Sequence, residues 1–393
     1  MDRSAFTKPA GSLTRTPQDY WAFVPARLPR EISLGPEVVY LLSESDRALG
    51  ELAGMTRMLP NPELLVAPLS RREAVLSSRI EGTQASVSDL ALFEAAGEAA
   101  PHVPADVREV QNYRKAMNHG LERIETLPLS LRLVRELHSK LLEGVRGQER
   151  TPGEFRTSQN WIGPPGCVLD NATYVPPPPY ELLTCLGDWE SFLHEDLKIP
   201  PIVRCALMHY QFEAIHPFLD GNGRVGRLLV TLFLCTSRHL PSPVLYLSPF
   251  FERNRDEYYE ALRAVSEQSL WEQWLEFFAR AVLEQCHDAM VRSQRLMMLQ
   301  EAYRDDLFAV KAAPSAHRLL ETLFVNPATT LALAGQWLEV TPMSASRAIR
   351  LLVERDILRE ATGRQRDRVY LAHGIVKAVE DESYAVEIKS SLE

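Results

Sequence analysis

A stretch of twelve residues, 216–227, constrains the fold and the chemistry of this chain more than any other part of the sequence. It reads His-Pro-Phe-Leu-Asp-Gly-Asn-Gly-Arg-Val-Gly-Arg. Because proline disfavours helical geometry at the residue before it, a helix running from Ile202 should end at or near His216. After Gly223, apolar residues recur at helical spacing, which predicts that a second helix begins there. The stretch is therefore expected to be a short loop that leads into a helix N-terminus.

This loop has the composition of a phosphate-binding site. A helix N-terminus presents unbonded backbone N–H groups and the positive end of the helix dipole, and both attract an anion. Histidine titrates near neutral pH, so His216 is a candidate general base. Asp220 is a hard oxygen ligand suited to Mg²⁺. A buried histidine followed by a glycine-rich turn would not need this aspartate, nor both Arg224 and Arg227.

The twelve residues match, position for position, the signature of the Fic family, His-Pro-Phe-x-Asp-Gly-Asn-Gly-Arg-x-x-Arg. The chain therefore resembles Fic proteins. The resemblance implies a protein adenylyltransferase, which transfers AMP from Mg-ATP to Ser, Thr or Tyr hydroxyls of target proteins and of itself. It makes His216 the catalytic base and Asp220 the metal ligand. Gly223 fits adenylyltransferases, whereas the Doc-type kinase relatives have a lysine there.

The resemblance also assigns contacts to the nucleotide. The backbone of 221–223, with Asn222, is expected to hold the α-phosphate region, Arg224 the β-phosphate and Arg227 the γ-phosphate. Tyr259 is expected to border the adenine pocket. The complete set of expected nucleotide-binding residues is Glu81, Gly221, Asn222, Gly223, Arg224, Val225, Gly226, Arg227 and Tyr259.

A second feature lies earlier, in residues 63–82. Apolar residues recur there at helical spacing, and Ser70 with Glu73 predicts a capping box at the start of a helix. Gly82 is a natural residue to follow a helix. Ser77 and Glu81 share one helix face, and Glu81 lies in the last turn, where the dipole disfavours a negative charge. A residue that breaks a local rule is a candidate functional site, although a glutamate also suits a frayed, solvated helix end.

The sequence Ser77-x-x-x-Glu81-Gly82 resembles the inhibitory motif of Fic proteins, Ser/Thr-x-x-x-Glu-Gly/Asn. The resemblance implies that Glu81 pairs with Arg227 and keeps the γ-phosphate from its productive position. Ser77, Glu81 and Gly82 are accordingly the expected regulatory residues. Their place before the catalytic motif resembles the class of Fic proteins with an N-terminal inhibitory helix.

Residues 151–180 lose helical periodicity. The segments 157–162 and 173–175 are expected to pair as a short hairpin, because glycine, proline, aspartate and asparagine lie between them. An ordinary surface loop is the alternative. The segment resembles the flap of Fic proteins, which aligns an extended target segment by strand addition.

Residues 313–372 form a separate pattern of three helices and two strands, similar to a winged helix-turn-helix. Thr341 and Pro342 predict the N-cap and first residue of its third helix. The expected DNA-facing residues are Ser344, Ser346, Arg347 and Arg350 on that helix and Arg364, Arg366 and Arg368 in the wing. They favour DNA binding, but such modules also mediate protein interaction or dimerisation. Four acids dilute the charge, namely Glu354, Asp356, Glu360 and Asp367.

The expected fold class is mainly α, with a Fic helical core, a short β-hairpin flap and a small C-terminal winged helix-turn-helix domain. A chain of 393 residues allows several domains. We expect an N-terminal helical region carrying Ser77–Gly82 (1–110), a Fic catalytic core (111–290), a helical linker (291–312), the winged helix-turn-helix (313–375) and a tail (376–393).

Composition points to a soluble cytoplasmic protein. The net charge of −9 argues against a surface that is basic throughout, though one local module could be basic. The five cysteines are widely spaced and include no Cys-x-x-Cys pair, which favours reduced thiols. The N-terminus lacks a signal-type apolar segment, and the longest apolar run, Leu228–Cys235, is too short to span a bilayer.

Alternatives to forward AMP transfer stay open at this stage. The same site could run in reverse as a de-AMPylase, with Glu81 positioning water. The chain could instead be a DNA-binding regulator that uses the winged helix, with the Fic core as a sensor. The site could also transfer a different phosphate-linked group, and the chain could form a homodimer.

Overall fold

In a computed structural model of the chain, the described residues are 1–59, 61–97, 104, 106–236 and 240–381. The fold is mainly α-helical, as the sequence predicted. The elements in chain order are β1 (Gly11–Arg15), β2 (Trp21–Pro25), α1 (Pro36–Arg57), α2 (Glu63–Ile80), α3 (Val87–Ala96), α4 (Val107–Arg123), α5 (Leu131–Leu141), α6 (Pro179–His194), α7 (Pro201–Ile215), α8 (Asn222–Thr236), α9 (Ser248–Arg253), α10 (Arg255–Gln268), α11 (Trp271–Ala309), α12 (Pro314–Val325), β3 (Ala328–Thr330), α13 (Leu331–Leu338), α14 (Pro342–Glu354), β4 (Arg359–Glu360), β5 (Val369–Leu371) and α15 (His373–Glu380).

The chain divides into two compact units. The first unit contains Met1–Gly50, Lys115–Leu240 and Leu247–Leu283. The second contains Glu51–Arg114, Pro241–Tyr246 and Glu284–Glu393. The boundaries fall inside α1, α4 and α11, so the units are compact groups of contacts and not consecutive segments. The consecutive domains expected from the sequence stay a prediction.

The centre of the first unit is the pair α7 and α8, which pack against each other on either side of the 216–221 loop. Pro201 is the first residue of α7, a position where its missing N–H costs nothing. The helix ends at Ile215, and α8 begins at Asn222. Both limits lie within a residue or two of those that the sequence predicted. Nearly every α8 side chain through Leu234 is buried, so the loop sits on a rigid base.

An antiparallel hairpin, β1 with β2, also belongs to the first unit. The sequence pattern did not indicate it. Phe23 of β2 is fully buried, and its N–H donates to the Val175 carbonyl at 2.9 Å. The Phe23 ring lies 5.9 Å from the Tyr174 ring. The hairpin therefore supports the segment that was expected to form the flap.

In the second unit, α2 starts earlier than the sequence predicted. It begins at Glu63, so Ser70 lies in the middle of the helix and is buried. The predicted capping box at Ser70 is wrong, because burial along the whole helix outweighs the local start signal. The predicted end is confirmed. Glu81 is the C-cap, and Gly82 follows with φ of +100°, a left-handed conformation that favours glycine.

The C-terminal part of the second unit has the winged helix-turn-helix topology. β3, β5 and β4 form a three-stranded antiparallel sheet beside α12, α13 and α14. Thr341 caps α14 by accepting the Ser344 N–H, and Pro342 is the first helical residue, as predicted. Helix α15 then continues to Glu380, with Ile375, Val376 and Val379 buried. Residues 376–380 are helical, and residues 382–393 lie outside the described residues.

No helix in the described part of the chain is long and apolar enough to cross a membrane. None of the five cysteines forms a disulfide.

Candidate active site

The site is organised by the C-terminal end of α7. A helix leaves its last four carbonyl groups without intrahelical partners. Here the Phe212 carbonyl accepts the His216 N–H at 3.0 Å, and the Glu213 carbonyl lies 3.3 Å from His216 Nδ1. The Ala214 carbonyl accepts the Tyr174 hydroxyl at 2.8 Å. The fourth carbonyl, at residue 215, accepts from a buried guanidinium. His216 and the 151–180 segment together satisfy all four carbonyls.

That guanidinium belongs to Arg156, which is almost completely buried. Its Nε donates to the His216 carbonyl at 2.9 Å, and its Nη2 donates to the carbonyls of Pro177 at 2.6 Å and Ile215 at 3.4 Å. Burial lowers the pKa of Arg156 to about 10, still far above neutral. A second donor, Asn160 Nδ2, reaches the His216 carbonyl at 3.1 Å. These contacts fix the backbone of the expected catalytic histidine.

His216 itself has left-handed backbone geometry, with φ of 50° and ψ of 61°. Such a conformation is costly for a residue with a Cβ, so the surrounding donors must stabilise it. Because Nδ1 faces the Glu213 carbonyl, a pure acceptor, Nδ1 must carry the hydrogen. Nε2 is then the ring nitrogen that can accept a proton. The side chain is half-buried, so a substrate hydroxyl can approach it.

Asn222 closes the loop. Its Oδ1 accepts the Phe218 N–H at 2.8 Å, and its Nδ2 donates to the Phe218 carbonyl at 2.9 Å. The side chain is buried. The Asn222 side chain therefore shapes the loop, and its expected contact with the α-phosphate stays a prediction.

His138, on α5, holds the other side of the loop. The Gly153 N–H donates to its Nδ1 at 2.8 Å, so Nε2 carries the hydrogen and donates to the Asp220 carbonyl at 3.0 Å. Its ring stacks on Phe218, with centroids 3.7 Å apart. Burial lowers the pKa of His138 to about 4, so the ring is neutral at pH 7. The sequence showed His138 only as one histidine in an apolar stripe.

The N-terminus of α8 is arranged as an anion cradle. The Val225 N–H already donates to the Gly221 carbonyl at 3.0 Å, and the Gly221 N–H donates to Asp220 Oδ1 at 2.6 Å. Among the described residues, nothing accepts the N–H groups of Asn222 and Gly223. Two amides at the positive end of the helix are therefore available to a phosphate.

Three charged side chains of the motif accompany these amides. Arg224 and Arg227 are buried, at 1% and 3% exposure, and Arg224 Nη2 lies 3.5 Å from Asp220 Oδ1. The Asp220 side chain is 37% exposed. Its Oδ2 accepts no hydrogen bond from the described residues. A partly exposed carboxylate beside a phosphate cradle fits Mg²⁺, which typically binds one or two protein carboxylates and substrate phosphates.

The two motif residues between the arginines lie in the contact between helices. Val225 is fully buried. A Cβ added to Gly226 would overlap Glu213 Oε1 and lie 3.3 Å from His209 Cε1, so glycine permits α7 and α8 to approach. These positions explain both residues as packing residues. Their expected contact with a nucleotide stays a prediction.

A buried histidine links this contact to α10. His209 Nδ1 lies 3.2 Å from the Gly226 carbonyl, and His209 Nε2 lies 2.8 Å from the Tyr258 hydroxyl. Burial lowers the pKa of His209 to about 3, and the charge of Arg227 adds to this effect. Tyr258 is buried, whereas its neighbour Tyr259 is 42% exposed. Tyr259 is therefore accessible to a ligand, and its expected place beside the adenine stays a prediction.

The predicted flap hairpin is present in reduced form. Ile162 and Tyr174 form one antiparallel bridge, with N–H to carbonyl distances of 2.8 and 3.0 Å in the two directions. Neither side of the bridge extends into a strand of the described structure. Trp161, Ile162 and Val168 are exposed, at 39%, 38% and 56%. An exposed backbone edge with apolar side chains is suited to an extended peptide.

The expected regulatory residues lie in the second unit. Ser77 is fully buried in α2, and Glu81 is half-buried directly after the helix. Arg227 belongs to the first unit. Their pairing stays a prediction.

Two family patterns match this chain. The pattern of the Fic/DOC family covers residues 128–234, which include α5, the flap segment and the entire motif. The pattern of the Fic/DOC family N-terminal region covers residues 39–122, which include α2 and Glu81. Over these two stretches the chain is similar to proteins of the Fic/DOC family.

Curated relatives show the same similarity. The chain is 32% identical over 146 residues to a protein adenylyltransferase Fic of Drosophila grimshawi and 31% identical over 141 residues to one of Aedes aegypti. These alignments cover 37% and 35% of this chain but only 27% and 25% of the relatives. The chain thus spans about a quarter of their length.

Solved structures share the fold. A Fic family protein from Desulfovibrio desulfuricans G20 matches with a TM-score of 0.56 and 19% identity, over 87% of this chain and 97% of that one. Fic-1 from C. elegans matches with a TM-score of 0.50 and 22% identity, over 68% and 75%. At these identities the likeness shows the fold alone.

Proposed function

We propose that this chain is a protein adenylyltransferase that moves AMP from Mg-ATP to Ser, Thr or Tyr hydroxyls of target proteins and of itself. The carrying observation is the arrangement at 216–227. His216 has its Nδ1 hydrogen fixed on a backbone carbonyl and lies in the loop before a helix N-terminus with two available amides. The names of the curated relatives support the same activity.

The geometry supports a division of labour in the reaction. His216 Nε2 takes the proton of the attacking hydroxyl, whose oxygen forms a bond to the α-phosphorus while the bond to pyrophosphate breaks. The Asn222 and Gly223 amides hold phosphate oxygens, and Arg224 and Arg227 neutralise the departing charge. Asp220 would hold Mg²⁺, which would supply positive charge beside the phosphates.

The target is proposed to lie along the flap. An extended segment of the target adds to the backbone edge near Ile162, with its apolar side chains against Trp161 and Val168. The flap is tied to His216 through Arg156 and to the end of α7 through Tyr174. A hydroxyl presented there is held in a fixed relation to the base, which is what proximity catalysis requires.

Autoinhibition by Glu81 is part of the proposal. Glu81 pairs with Arg227 and takes the place of the γ-phosphate contact. Its position directly after α2 supports this role, because the helix fixes where the carboxylate lies. Wild type should then label itself and its targets weakly.

The deciding experiment is intact-mass analysis and peptide mapping of Glu81→Gly after incubation with Mg²⁺ and ATP. Attachment of an adenylyl group to a hydroxyl residue supports the proposal, and loss of it in Glu81→Gly/His216→Ala assigns the base. No modification of the Glu81→Gly variant or of added protein would contradict it. Release of AMP from a modified protein by wild type, but not by Glu81→Gly, would favour the reverse reaction.

Duplex DNA binding by the winged helix is the second candidate function, favoured by the five exposed arginines on α14 and the wing. A homodimer and a cytoplasmic location stay predictions.

A further inference from the structure

The winged-helix module exposes one strongly basic surface. On α14, Arg347 and Arg350 point outward beside Met343, which is 65% exposed. In the wing between β4 and β5, three more arginines are exposed, Arg364, Arg366 and Arg368. In winged helix-turn-helix proteins that bind DNA, the third helix enters the major groove. Here that helix is α14, which carries two of the arginines, and the adjacent wing carries three. This arrangement is suited to contacts with duplex phosphates and bases. The whole chain has a net charge of −9, so this patch stands out against its background.

Two of the four acids that were expected to weaken this surface have other partners. Asp356 pairs with Arg359 through two contacts of 2.8 Å. Glu360 accepts the N–H groups of Thr362 at 2.8 Å and Gly363 at 3.0 Å, so its carboxylate shapes the wing turn. Three acids, Glu354, Glu360 and Asp367, therefore remain against the five arginines. The field at the surface is therefore positive, which suits the phosphate backbone of DNA.

The same module shares one apolar core with α2, the helix that ends at the expected inhibitory glutamate. Leu65 of α2 is 2% exposed and lies in a single cluster with Leu319 and Leu323 of α12, Leu352 of α14 and Val379 of α15. Helices α14 and α2 therefore bury apolar surface in the same core. Separating α2 from this core would expose large apolar side chains at a cost of about 1.5–3 kcal/mol each.

Buried polar contacts strengthen this attachment. Arg71 of α2 is 1% exposed and pairs with Glu94 at 2.8 Å. It also donates to the Val325 carbonyl at 2.5 Å and to Asn326 Oδ1 at 3.1 Å, at the end of α12. A guanidinium buried this deeply would be destabilising if its partners moved away. Arg71 thus fixes the middle of α2 to the first helix of the winged helix.

A second buried set joins α2 to the helix that follows the wing. Arg72 pairs with Asp288 at 2.9 Å, and Asp288 also pairs with Arg292 at 2.8 Å. Arg292 donates to the carbonyls of Val379 at 2.5 Å and Asp381 at 2.9 Å. Helix α2 is therefore held at Leu65, Arg71 and Arg72, and Ser77 and Glu81 follow within three turns.

We infer that the winged helix binds duplex DNA through α14 and the wing, and that bound DNA deepens the inhibition of adenylyl transfer by holding α2 in the shared core. This inference rests on the proposed function. A ligand that binds only the folded, attached module stabilises that state by a factor of 1 + [L]/Kd. At ten times Kd, release of α2 becomes about 11-fold rarer. Labelling by wild type should then fall by up to that factor.

The binding part is tested with full-length protein and a mixed-sequence duplex of about 20 base pairs, two helical turns. The double variant Arg364→Ala/Arg366→Ala should bind at least tenfold more weakly. In the wild type these two arginine side chains make no hydrogen bond or ion pair within the described chain, so the variant should fold normally. Arg318→Ala, an exposed arginine on α12, is the matched control and should bind as wild type does. With five contacts, log K should fall with log salt at a slope of up to about −4.5. Absence of salt-dependent binding to DNA would overturn the inference.

The coupling part uses incorporation from α-labelled ATP into wild type, the wing variant and Glu81→Gly. Saturating duplex should lower labelling of wild type several-fold and leave the wing variant and Glu81→Gly unchanged. If DNA binds but wild-type labelling does not change, or if Glu81→Gly falls equally, the inference is wrong while the proposed function stands. If Glu81→Gly shows no labelling at all, the proposed function itself fails.

Discussion

The buried imidazole of His138 gives the sharpest test of how the catalytic loop is held. Replacing His138 by phenylalanine keeps an aromatic ring against Phe218 but removes both hydrogen bonds. The Gly153 N–H and the Asp220 carbonyl then lose their partners, at about 1–3 kcal/mol each. We expect the variant to be about 2–6 kcal/mol less stable at pH 7. Urea unfolding measures this directly.

The same variant should change how stability depends on pH. Burial lowers the pKa of His138 from 6.5 to about 4. Below pH 6.5 the imidazole therefore binds a proton in the unfolded chain but stays neutral in the native state until the pH approaches 4. Stability from this residue is present above pH 6.5 and is lost as the pH falls towards 4. Between pH 7 and pH 5, wild type should lose about 2 kcal/mol more than His138→Phe.

Activity provides the third readout for His138. In the Glu81→Gly background, the loosened loop should lower the rate of labelling about 10- to 100-fold, since small displacements of positioned groups cost this much. His194→Phe, at an exposed position on α6, is the matched control and should match its parent. Unchanged activity together with an unchanged pH dependence in His138→Phe would refute the role of this residue in holding the loop.

Three further substitutions probe the same site. Arg156→Ala removes one of the two donors to the His216 carbonyl and should lower kcat at least tenfold, about 1.4 kcal/mol, with a smaller change in KM for ATP. A kcat within twofold of the parent in steady-state labelling would contradict this. Asp220→Asn should raise the Mg²⁺ concentration for half-maximal labelling about tenfold, and an unchanged Mg²⁺ titration would exclude Asp220 as the metal ligand. Gly226→Ala should cost about 1–3 kcal/mol, because the new methyl group overlaps Glu213, and an unchanged Tm would argue against the close approach.

The sequence predicted the parts of the site that are local in the chain. Pro217 ended α7 at the residue before His216, and the apolar spacing after Gly223 located the start of α8 within two residues. The end of α2 at Gly82 was also predicted from a local signal, because the left-handed residue that follows a helix is usually glycine.

Contacts between distant residues were not predicted. Arg156 lies sixty positions before His216, and nothing in its neighbourhood indicates that four backbone carbonyls bind its guanidinium. The error at Ser70 has a related cause. Pro68 and Ser70 both resemble a helix start, but burial of α2 in the core of its unit extends the helix back to Glu63. Local signals rank the possible starts, and tertiary packing selects among them.

One measurement tests the central claim most directly: the mass of the group that the Glu81→Gly variant transfers when it is given ATP labelled at either the α- or the γ-phosphate. The account predicts that label from the α-phosphate alone becomes attached to a protein hydroxyl, and that His216→Ala in the same background abolishes it. Transfer of the γ-label, or unchanged transfer by His216→Ala, would contradict adenylyl transfer by this site.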